Sequence, residues 1–151
     1  MSEYKVDISW ENSSGEMDYD RYDRNHSWRF SGGVTLTGSA APEFNGDSSR
    51  VDPEAALVAS LSSCHMLTFL ALAARRRLVV AAYDDTAVGY LEPLPSGHLA
   101  MTRVKLSPKV TFAAGTNISP DQFKKLHDRA HEECFIANSV KTDITVDATI
   151  E

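Results

Sequence analysis

Residues 51–77 read VDPEAALVASLSSCHMLTFLALAARRR, and the 20 residues from Ala55 to Ala74 inside that stretch carry no charge. Asp52 suits a helix N-cap, Pro53 suits the first helical position, and Glu54 interacts favourably with the positive end of the helix dipole. The pattern predicts one helix ending near Arg75-Arg76-Arg77, about 24 residues and roughly 36 Å long. The three arginines fit a solvated, dipole-favoured helix end. Apolar nearly all round, such a helix is expected to be surrounded by protein. Its length also matches a membrane span. However, Ser60, Ser62, Ser63, Cys64, His65 and Thr68 interrupt the run and no other segment has membrane character, so a buried central helix and no membrane contact are expected.

Upstream of this helix, Tyr4, Val6, Ile8 and Trp10 alternate with polar residues, the period of a half-buried strand. Glu11 to Tyr22 is acidic and polar and contains Gly15, which reads as a loop before a second extended region around His26 to Phe30. Gly32-Gly33 signals a turn into Val34-Thr35-Leu36-Thr37, so the three pieces form a small meander. Ser39 to Arg50 is a further loop. Downstream, Leu78 to Leu91 and Leu99 to Ala113 are β-like and joined through Pro93, Pro95 and Gly97, which predicts a long hairpin. Ser119-Pro120-Asp121-Gln122 forms a capping box that opens a second helix through about Cys134. Ile144, Val146, Ala148 and Ile150 alternate as a closing strand. The order is meander, long helix, hairpin, shorter helix, strand, an α+β pattern.

The chain has 151 residues, of which 42% are hydrophobic and 24% charged, enough for one domain spanning 1–151 with its own core. A net charge of −6 argues against nucleic-acid binding, which needs clustered Lys and Arg. The N-terminus MSEYKVDISW lacks the basic and apolar regions of a signal peptide. A cytoplasmic location is therefore expected, with both cysteines reduced.

Those two cysteines lie 70 residues apart. On the second helix Phe123, Leu126 and Ala130 define an apolar stripe, and at 100° per residue His127 and Cys134 fall within it. Cys64 lies mid-way along the first helix, so each helix aims one thiol at the interior. Space-filling is one reading of such thiols and a redox pair is another. A third constellation competes: His127, His131 and Cys134 fall on one helix face at i, i+4 and i+7, able to hold a metal with Cys64 and His65 completing the site. A reactive thiol needs a nearby cation or donor. Arg24 is a candidate, with a carboxylate such as Glu54 to hold its guanidinium.

The Val51-Asp52-Pro53-Glu54 segment followed by Cys64, together with Cys134-Phe135-Ile136-Ala137-Asn138-Ser139 after the second helix, resembles the OsmC/Ohr family of bacterial thiol peroxidases, in its OsmC-like branch. The resemblance covers most of the chain. It implies an OsmC-like fold, with antiparallel sheets wrapped around two central helices, in an intertwined homodimer. It also implies an enzyme that reduces organic hydroperoxides, with Cys64 as peroxidatic thiol, Cys134 as resolving thiol, and Glu54 orienting an arginine near the reactive sulfur. Arg24 matches that arginine by its distance from Gly32-Gly33, with Arg29 and Arg50 as alternatives. Phe135 stands where the family commonly has Pro, and His65 where an aromatic residue is usual. The implied reductant is a dithiol, such as a protein-bound lipoyl group, and no bound cofactor is required. An apolar substrate pocket lined by His65, Met66, Phe69 and Phe135 is expected, with His65 a packing or hydrogen-bonding neighbour rather than a base. Glu54 and Cys64 lie about 15 Å apart along one straight helix, too far for Glu54 to act at its own Cys64. Antiparallel packing of two such helices about a two-fold axis brings Glu54 of one chain towards Cys64 of the other. Two further readings remain, a binding protein of this fold without turnover and a protein stabilised by metal at His127, His131 and Cys134.

Overall fold

A computed structural model describes residues 1–151, and its backbone groups into two compact units, Met1–Ala56 and Leu57–Glu151. In the first unit, β1 (Val6–Ser9), β2 (His26–Phe30) and β3 (Thr35–Gly38) form the expected meander in the order β1-β2-β3. Ile8 lies opposite Trp28, and Trp28 opposite Leu36. Gly33, with φ 83°, supplies the left-handed residue that the β2–β3 turn needs. The strand at β1 is shorter than the alternation predicts, and its four residues are exposed rather than half-buried. Ile8 stays 57% exposed, an apolar face without a covering layer in its own unit.

The long helix α1 runs from Pro53 to Arg75. Asp52 caps it as predicted, accepting from the backbone N–H of Ala55 at 2.7 Å. It stops where Arg77 turns into the left-handed region (φ 58°) and the Leu78 N–H closes onto the Ala73 carbonyl. One expectation is corrected here: the chain covers only one face of α1. Leu61, His65, Phe69, Leu72 and Ala73 are buried, whereas Ala59, Ser63, Leu67, Ala71 and Ala74 on the other side are exposed. By length and composition α1 could cross a membrane, with a mean hydropathy of 1.7 in its most apolar window.

The second unit supplies what packs on the buried face. β4 (Val80–Asp85), β5 (Val88–Pro93), β6 (Leu99–Leu106) and β7 (Pro108–Phe112) make the predicted long hairpin, but it bends and feeds two sheets. β5 pairs with β6 and β4 with β7, both antiparallel. The bend sits at Ser107-Pro108, where Pro108 has no N–H to offer a ladder. The Asp85 carboxylate takes up the Ser107 N–H at 2.7 Å. The closing strand bends in step. It splits into β8 (Asp143–Val146) and β9 (Thr149–Ile150), which add parallel to β6 and β7. Sheet orders are therefore β4-β7-β9 and β5-β6-β8, with parallel pairs that the expectation of antiparallel sheets did not include.

The second helix, α2 (Pro120–Glu133), has the predicted capping box: Ser119 accepts from the Gln122 N–H, and the Gln122 side chain accepts from the Ser119 N–H. Its stripe of Phe123, Leu126 and Ala130 meets Phe69, Leu72 and Ala73 of α1 and Val110 of β7 in one core cluster. Leu61 packs with Val104 and Leu106 of β6 in a second.

Candidate active site

Cys64 is placed by its helical neighbours. Leu61, His65 and Phe69 face the core one turn apart, which leaves the Cys64 thiol half-buried at the edge of that face. The rotation of α1 is held by a buttress two residues earlier: the Ser62 hydroxyl donates to Asp85 Oδ2 at 2.5 Å, while Asp85 Oδ1 holds the bend at Ser107. Asp85→Ala should therefore lower stability by about 1–3 kcal/mol through the unsatisfied Ser107 N–H. Urea titration against wild type checks this.

Cys134 is the C-cap of α2, extended at φ −69° and ψ 115°, and only 1% exposed. The following turn wraps back onto it: the Asn138 side-chain amide donates to its carbonyl at 3.0 Å, and the Ala137 N–H points at its sulfur at 3.4 Å. Both thiols are free, and Cys64 is near enough to Cys134 to help hold the proton on its sulfur. Burial, reinforced by the Cys64 contact, pushes the Cys134 thiol up to about 11 against the opposing N–H groups of Ala137 and Ile136. At neutral pH it keeps its proton.

Behind the thiols lies a histidine pair. His65 Nε2 and His127 Nδ1 share a hydrogen bond of 2.9 Å, and the rings stack with centroids 5.3 Å apart. Phe69 lies against His127 at 4.3 Å. His65 and His127 are 1% and 4% exposed. Burial holds both neutral, His65 down at about 4 and His127 at about 3, each helped by a neighbouring histidine. The outer nitrogens, His65 Nδ1 and His127 Nε2, have no partner.

The four residues expected to line a substrate pocket differ in their packing within the chain. His65 and Phe69 are core residues, Phe69 being fully enclosed by Tyr83, Phe123 and His127. Phe135 is 81% exposed beyond the α2 C-cap, and Met66 is half-buried. The metal reading is corrected. No group of three or more His, Cys, Asp or Glu side chains is close enough to hold an ion, and the His127 Nδ1 is engaged by His65.

In the first unit, Arg24 is the buried one of the three candidate arginines, 9% exposed. Arg29 is exposed, and Arg50 is engaged by Asp47 at 3.0 Å. The Arg24 guanidinium donates to the Tyr22 and Tyr19 carbonyls at 3.0 and 2.5 Å and lies over the Tyr22 ring at 4.0 Å. It lines a mostly apolar cavity of about 520 Å³ with Ile8, Trp10, Met17, Tyr22 and His26. Glu54, in the first turn of α1, makes no ion pair with it in the single chain. Sequence reasoning missed Asp85, the aromatic cage at Tyr19 and Tyr22, and the joining of His127 to His65. Two tyrosines, Tyr19 and Tyr22, shortly before Arg24 were the one signal that could have pointed to the cage.

Two helices, bent sheets and a cysteine from each helix define the class of protein as an OsmC-like α+β fold. The family described as OsmC-like protein matches residues 46–149, and the chain belongs to it. An OsmC-like protein of unknown function from Vibrio cholerae is 42% identical over 100% of both chains, with a TM-score of 0.92. An organic hydroperoxide resistance protein from Elizabethkingia anophelis is 15% identical, covering 100% of this chain and 96% of its own, with a TM-score of 0.73. One from Legionella pneumophila is 15% identical over 100% and 98%, with a TM-score of 0.68. At that identity the last two share the fold. No curated protein matches the sequence.

Proposed function

We propose that the protein is a cysteine-based peroxidase that reduces organic hydroperoxides to alcohols. The observation that carries this reading is the meeting of two reduced thiols from distant sequence, one reachable and one buried and protonated. The Cys64 thiolate attacks the terminal peroxide oxygen. The O–O bond breaks, the alkoxide leaves and takes a proton as alcohol, and Cys64 becomes a sulfenic acid. Cys134 then attacks that sulfur, its proton leaves with the hydroxide as water, and a Cys64–Cys134 disulfide results. Two electrons from an external dithiol, such as a protein-bound lipoyl group, restore both thiols.

In this reading Arg24 is the cation that favours the Cys64 thiolate, and Glu54 orients it. The working unit is an intertwined homodimer with two sites, acting in the cytoplasm as a single OsmC-like domain in each chain. Supporting the dimer is the uncovered stripe Ala59, Ser63, Leu67, Ala71 and Ala74, small enough in four of five positions for a second helix to approach closely. A binding protein of the same fold without turnover is the alternative. Cumene hydroperoxide mixed with the protein and dihydrolipoamide separates them: consumption in proportion to the dithiol supports the enzyme, and no consumption above buffer contradicts it.

A further inference from the structure

We propose that His26 is a positioning residue for Arg24, with Trp28 fixing its tautomer; the link to turnover rests on the role given to Arg24 above. β2 opens with His26, and Trp28 two residues on lies on the same face of the strand. The Trp28 indole N–H can only donate, and it meets His26 Nε2 at 2.6 Å. Nε2 must therefore be an acceptor, and the proton of the neutral ring sits on Nδ1. That nitrogen is 2.9 Å from the Arg24 carbonyl and donates to it. The two rings run close to parallel, 28° apart, with centroids at 6.0 Å.

Two further features serve the same end. Gly38 pairs with His26 across the sheet, and a Cβ at that position would collide with both Trp28 Nε1 and His26 Nε2. The Trp10 indole donates to the preceding carbonyl, that of Asp23, at 2.6 Å. Consecutive carbonyls at Asp23 and Arg24 are thus tied down by ring N–H donors from β2 and from the end of β1. The loop so held sends the Arg24 side chain back onto the Tyr19 and Tyr22 carbonyls, which occupy two of the five guanidinium N–H groups. The others are left for the cavity. His26 touches only the backbone of Arg24, so it acts through where the loop stands, as an outer partner orients a ligand.

The test is nitrogen-15 NMR of the histidine ring and of the Arg24 side chain, the latter recognised by its absence in Arg24→Lys. Wild type should show His26 protonated on Nδ1, and Trp28→Phe should populate the Nε2–H form. His26→Leu, which has no donor, should lose about tenfold of the hydrogen-exchange protection of the Arg24 side chain, the scale of one net hydrogen bond. His26→Asn, whose amide can donate from nearly the same place, should recover it. With cumene hydroperoxide, kcat/KM should follow the same order. An Nε2–H ring in wild type, or an Arg24 signal unchanged in His26→Leu, overturns the proposal. A wild-type protein that turns over no hydroperoxide contradicts the proposed peroxidase but leaves the NMR result to decide the role of His26.

Discussion

Cys64→Ser should abolish hydroperoxide reduction, with kcat/KM falling on the order of 10³-fold or more, because the remaining thiol, Cys134, is buried and keeps its proton at neutral pH. Cys134→Ser should behave differently. Cys64 still reacts once, so a stoichiometric burst of alcohol appears, but the sulfenic acid has no thiol to condense with. Excess hydroperoxide should then carry it to the sulfinic acid, and mass spectrometry should find two added oxygens on the peptide containing Cys64. The asymmetry follows from placement: Cys64 is half-buried and reachable, while Cys134 is enclosed and protonated. Equal loss in both variants with no burst in Cys134→Ser would remove the distinction between the two thiols.

Acid should unfold the protein through the histidine pair. Both folded pKa values are depressed, to about 4 and about 3, from an unfolded value near 6.5. Between pH 6.5 and 5 the unfolded chain therefore takes up protons that the folded chain refuses. Stability is fully present above pH 6.5 and falls as pH drops, by about 2 kcal/mol per buried histidine at pH 5. Two such losses are a large share of the ~5–15 kcal/mol that holds an ordinary domain. Urea midpoints at pH 7.5 and 5 measure the slope. In the double variant His65→Leu/His127→Phe the shared hydrogen bond goes with both its partners, so the slope should flatten without a large loss at pH 7.5. A double variant with the wild-type slope would put the acid sensitivity elsewhere.

Local chemistry announced itself well in the sequence. Asp52 and Ser119 each signalled a helix start, and the caps they predict are present at those residues. The apolar stripe of α2 pointed correctly to a buried His127 and Cys134. What the sequence could not carry was anything set by a third element. The bend at Pro108 that divides one hairpin between two sheets also divides the closing strand, which reads as continuous because its alternation runs unbroken from Ile144 to Ile150. Helical periodicity put Phe69 and His65 near the site but could not say whether they line a pocket or fill a core. α2 decides that, by placing Phe123 and His127 against them. Likewise, three arginines are equivalent in sequence until the loop before β2 folds Arg24 onto its own carbonyls.

In the proposed dimer the uncovered face of α1 and the apolar face of β1 would be buried against a second copy, with the stripe of small residues on α1 leaving room for a close helix crossing. Sedimentation of the intact protein checks the dimer, and Leu67→Glu, at the centre of that stripe, should shift it towards monomer.

In the proposed mechanism Cys64 and Cys134 form one redox unit within a chain. The reduced protein treated with one equivalent of cumene hydroperoxide, then analysed by intact mass under denaturing conditions, tests it most directly. The expected result is a monomer mass lower by two hydrogens, no free thiol, and a digest in which the Cys64 and Cys134 peptides are joined. A chain that keeps both thiols, or that gains oxygen at Cys64 with Cys134 still free, contradicts it.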